Sequence, residues 1–76
     1  MKGYIVLDRD FKIQISECTY INNSVLDEIE DWESFFLNLL SDGKPIKVEA
    51  DFSTYYINPS RIAYIQEVLN NSPIDL

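Results

Sequence analysis

A chain of 76 residues, with thirteen acids against six bases and a net charge of −7, reads as one domain spanning 1–76. The charge opposes direct binding to nucleic acid and docking on anionic membranes, and it admits attraction to a basic protein partner. With no histidine and a single cysteine, Cys18, the chain excludes an internal disulfide and a zinc site of the usual nitrogen–sulfur type.

A domain this small buries only about 60–65% of its unfolded surface, so it depends on a dense core or on association. Apolar residues make up 46% of the chain and include four Phe, five Tyr and one Trp, which is enough material for a core. In chain order, Gly3–Leu7 is a continuous apolar run, with Ile5 and Leu7 on one side and Tyr4 and Val6 on the other. It predicts a strand buried on much of both faces. At four or five residues the run is too short for a signal-peptide core, and no transmembrane stretch follows, so a cytoplasmic address is expected.

Phe11, Ile13 and Ile15 alternate with Lys12, Gln14 and Ser16, which predicts a half-exposed strand. Asp8-Arg9-Asp10 between the two runs suits a tight turn and predicts an N-terminal hairpin. Residues 17–23 read as a connection. A long helix is predicted over about 24–41: Ser24 and Asp27 form a start signal, and Val25, Ile29, Trp32, Phe36 and Leu39/Leu40 recur at helical spacing. Gly43 and Pro45 end it. Its second half, Phe35–Leu40, is apolar nearly all round and predicts burial on more than one side, by the sheet or by a second copy in a homodimer.

Ile46, Val48 and Ala50 alternate with Lys47 and Glu49, and residues 53–57 follow, which predicts a second hairpin. For the last element two readings compete. A strand puts Ile62 and Tyr64 on one face and Ala63 and Ile65 on the other. A helix over about 59–70 accounts for more residues: Asn58 as N-cap, Pro59 at the first helical position, Ile57 and Ile62 as a staple, and a stripe of Ile62, Ile65 and Leu69. The expected fold class is therefore α+β: an antiparallel sheet of about four strands packed by a long helix and a C-terminal helix.

Candidate chemistry is sparse. On the predicted helix Asp27, Glu30 and Asp31 share one face, but no calcium-loop pattern surrounds them, and acids are favoured at a helix start in any case. Cys18 has no histidine to activate it and is expected to be a small apolar filler. Gly3 and Gly43 are isolated, so no phosphate-cradling loop forms. No catalytic residue, metal site or cofactor is predicted. Tyr55 and Tyr56 are consecutive, so on a strand one faces the core and the other faces solvent; Tyr64 lies off the stripe of the last helix. Exposed tyrosines suit a binding surface. The expected function is a small, acidic, non-catalytic protein-interaction or regulatory module that binds a protein partner or itself through Tyr55, Tyr56, Tyr64, Asp27, Glu30 and Asp31. The alternative is an acidic DNA-mimic inhibitor of a nucleic-acid-binding protein, of the anti-defence type made by phages and mobile elements.

Overall fold

The computed structural model of the protein describes residues 2–68. Seven short strands, β1 (Lys2–Leu7), β2 (Lys12–Ser16), β3 (Tyr20–Ile21), β4 (Ser24–Val25), β5 (Ile46–Ala50), β6 (Ser53–Ile57) and β7 (Ile62–Val68), accompany one helix, α1 (Trp32–Asp42). The strands form two antiparallel sheets, a three-stranded one in the order β2-β1-β7 and a four-stranded one in the order β4-β3-β5-β6. The fold is mixed α+β but mostly strand, so the expectation of a single four-stranded sheet is corrected to two sheets.

The first hairpin forms as expected. Arg9 and Asp10 both have left-handed backbone angles, φ 61° and 62°, which match a two-residue turn to the right-handed twist of the strands. The Phe11 N–H donates to the Asp8 carbonyl across the turn at 3.4 Å, and the Leu7 N–H donates to the Phe11 carbonyl at 2.7 Å outside it. The second hairpin pairs Ile46 with Ile57 and Ala50 with Ser53, which leaves Asp51 and Phe52 at its tip. Between these hairpins, residues 17–23 are more than a connection. They contain β3, which is joined to β4 by Asn22 and Asn23, at φ 52° and 71°.

The long helix is corrected to Trp32–Asp42. Residues 24–25 are β4, and Leu26–Glu28 form a single 3-10 turn. The reason is where their backbone groups go. Ser24 and Val25 are extended and paired with Ile21 and Tyr20 of β3. The Leu26 carbonyl, which a helix would give to the Glu30 N–H, accepts instead from the Ile29 N–H at 3.0 Å and the Trp32 indole N–H at 3.2 Å, with Ile29 itself extended. Like charges three and four apart also weigh against a helix through Asp27, Glu30 and Asp31. The helix starts where Asp31 caps it and stops at Gly43, whose φ of 68° is left-handed.

The C-terminal helix is corrected as well. Pro59–Arg61 is one 3-10 turn and Ile62–Val68 is β7; positions 69 and 70 of the predicted helix lie outside the described residues. Asn58 does act as a cap, but for that short turn, with its side-chain oxygen accepting from the Ser60 N–H at 3.2 Å.

One core joins both sheets and the helix. Ile5, Ile13 and Ile15 of the first sheet meet Ile21, Ile46, Val48 and Ile57 of the second, with Leu26, Trp32 and Phe36 filling the space between. Trp32 and Phe36 pack edge to face at 5.9 Å, and the Trp32 indole N–H donates to the Leu26 carbonyl at 3.2 Å. Much of the apolar surplus of Phe35–Leu40 is thus internal: Phe36 is buried, and Phe35 and Leu39 pack on the core. Leu37 and Leu40 remain exposed.

Candidate protein-binding surfaces

Alternation along β3, β5 and β6 decides which side chains face outward. Ile21, Val48 and Ile57 point into the core, so Tyr20, Lys47, Glu49 and Tyr56 occupy the opposite face of the four-stranded sheet. The register places Tyr20 opposite Glu49 and Tyr56 opposite Lys47. The two tyrosines therefore stand diagonally across β5, on either side of a Lys47–Glu49 ion pair at 3.9 Å. Tyr56 is 76% exposed and Tyr20 46%. Phe52 stands in solvent at the tip of the β5–β6 hairpin, beside a depression of about 490 Å³ that Tyr20, Glu49 and Thr54 also line.

A second surface lies between α1 and β7. It is a groove of about 310 Å³ lined by Trp32, Phe36, Leu37 and Leu40 of or at the start of the helix, by Ile65 of β7, and by two carboxylates, Glu33 and Glu67. β7 is the last strand of its sheet.

The residues singled out in the sequence do not converge. Tyr55 turns inward, half-buried, with its ring 6.2 Å from that of Phe11. Tyr56 turns outward on the four-stranded sheet. Tyr64 lies on the other sheet, where its register partner is Val6. Asp27, Glu30 and Asp31 share no helical face: Asp27 is in the 3-10 turn, Glu30 follows it, and Asp31 caps α1. The Asp31 carboxylate accepts from the Ser34 N–H at 3.1 Å and from the Ser34 hydroxyl at 2.8 Å. These bonds hold its carboxyl below the usual 3.8, with the backbone bond contributing most. Asp31 is therefore occupied structurally. Cys18, expected inside, is exposed. Among the described residues no three acidic or thiol side chains gather closely enough to hold a metal ion, and no helix is long and apolar enough to cross a membrane.

Sequence reasoning missed Tyr20 and Phe52. For Tyr20 a signal was available: Asn22-Asn23 suits a two-residue hairpin turn, and the alternation around it sends Ile21 in and Tyr20 out. For Phe52 the position between two alternating runs marks a hairpin tip. No family model, curated protein or solved structure matches this chain.

Proposed function

We propose that this chain is a non-catalytic protein-interaction module that docks one protein partner on the outer face of its four-stranded sheet. The observation that carries the reading is the pairing geometry of Tyr20 and Tyr56, two exposed rings diagonal across β5 on one side of the sheet. Tyrosine suits the centre of an interface because it buries a large area at little cost in side-chain entropy and keeps a hydroxyl for a hydrogen bond. Lys47 and Glu49 between the rings add polar groups that set register rather than affinity. Phe52 extends the apolar area toward the hairpin tip. The net charge of −7 favours a basic partner and speeds its encounter.

The experiment is capture of the partner from the source cell by cross-linking, followed by titration of that partner against purified wild type and variants. Tyr56→Ala is expected to weaken binding about thirtyfold, the equivalent of about 2 kcal/mol, through faster dissociation and with a shallow salt dependence. The acidic alternative, imitation of DNA, uses the exposed carboxylates of Asp27, Glu28, Glu30 and Glu33. It gives the opposite pattern: a steep loss of binding between low and physiological salt, and no response to either tyrosine substitution.

A further inference from the structure

We propose that the groove between α1 and β7 is a second docking site, built for an extended basic peptide segment of a protein partner that adds a strand to β7. Three features of the groove lead to this occupant. Apart from two carboxylates its lining is apolar: Trp32 and Phe36 reach it from the core, Ile65 from β7, and Leu37 and Leu40 from the outer side of the helix. Leu37 is 56% exposed, on a helix whose opposite side is already committed to the core. At about 310 Å³ the groove sits at the lower end of the range typical of ligand pockets, about 300–1,000 Å³, which suits side chains rather than a whole helix.

The second feature is the strand beside it. β7 pairs with β1 on one edge and has no strand on its other edge among the described residues. An edge of this kind offers unpaired N–H and C=O groups to an incoming extended chain. Side chains of an added strand alternate between faces, with same-face neighbours about 7 Å apart. One set enters the groove against Ile65. The other set emerges on the outer face beside Tyr64, which is half exposed and itself on β7.

The third feature is charge. Glu33 and Glu67 line the groove, one from each wall, and neither forms an ion pair among the described residues. Lysine or arginine flanking the apolar side chains of the peptide complements them. A second copy of this chain suits the site less, because it brings the same two glutamates and another charge of −7.

The test uses the full 76-residue chain and a displayed library of random 12-residue peptides, followed by titration of the selected peptides. Trp32 is the single tryptophan and lines the groove, so its fluorescence reports binding directly. The expected selection alternates apolar with other residues and carries Lys or Arg. Leu37→Asp, at an exposed position that leaves folding intact by circular dichroism, weakens those peptides at least tenfold. Glu33→Lys combined with Glu67→Lys turns the preference toward acidic peptides, and a proline scan along the peptide abolishes binding at alternate positions, those whose N–H faces β7. A charge-neutral or acidic selection on wild type overturns the proposal, as do peptides indifferent to Leu37→Asp or to proline at every position. Concentration-dependent dimerisation that Leu37→Asp abolishes also overturns it, in favour of a second copy. Tyr56→Ala leaves these peptides unaffected, so this site and the tyrosine face stand or fall separately.

Discussion

Ile62 stands opposite Leu7, and two residues later Tyr64 stands opposite Val6, the very next position on β1. Ala63 is therefore an extra residue, a bulge that turns Ile62 and Ile65 to the same side although they are three apart. Both pack against the core. Deleting Ala63 joins the two halves of β7 into an unbroken ladder and keeps both isoleucines inward. The variant is expected to fold with the same core and with strand-like backbone shifts through residues 62–68. Helical shifts there, or loss of folding, contradict this account of β7.

Gly3 faces Glu67 across the same pair of strands, and a Cβ at Gly3 would fall on the Gln66 carbonyl oxygen. The obstacle is backbone, which cannot swing aside as a flexible side chain does. Gly3→Ala is expected to destabilise the fold by about 1–3 kcal/mol or more, as overpacking does. Hydrogen exchange tests where the effect lies: amides of β7 should lose protection before those of β5 and β6.

Tyr55 and Tyr56 are neighbours with opposite duties. Tyr55 packs on Phe11 and against the core, so Tyr55→Ala is expected to cost about 2 kcal/mol of folding stability, less than a fully buried aromatic. Tyr56 points to solvent, so Tyr56→Ala should change stability by no more than about 0.5 kcal/mol. Urea titrations of the two variants check the contrast. A large loss of stability in Tyr56→Ala would show that its ring is structural and remove it from the binding face.

The Asp31 cap makes a prediction about acid. Its carboxyl is held below its ordinary 3.8 by the Ser34 N–H and then by the Ser34 hydroxyl. A depressed folded value means that the carboxylate stabilises the fold fully above that ordinary value and that the contribution disappears as pH falls through the lowered one. Thermal melts of wild type and Asp31→Ala should therefore differ by a constant amount from neutral pH down to about 5, with the gap beginning to close only below about 4 and vanishing as pH falls through the lowered value. A gap that persists undiminished in acid would mean that the cap does not depend on charge.

The local pattern of residues was enough to place both hairpins, the end of the helix at Gly43, the cap at Asn58 and the opposite directions of Tyr55 and Tyr56. Each of these depends on neighbours within a few positions: alternation, a left-handed glycine, an Asn-Pro pair. Where the structure departs, the deciding groups lie far along the chain. Residues 24–31 carry a helical spacing of apolar side chains, yet pairing with β3 holds Ser24 and Val25 extended, the chain is extended again at Ile29, and α1 waits for Asp31. Ile62 and Ile65 repeat at a helical interval only because a bulge against β1 imitates that interval in a strand.

The candidate sites divide in the same way. One of Tyr55 and Tyr56 was visible as an outward residue, but that it is Tyr56, and that it keeps company with Tyr20, depends on β3 and β6 flanking β5. The groove needs α1 and β7, brought together by a shared core across some thirty residues of sequence. Periodicity records which side of an element is apolar. Which element covers that side, and which edge is left open, is decided by long-range hydrogen bonds and packing that no local window contains.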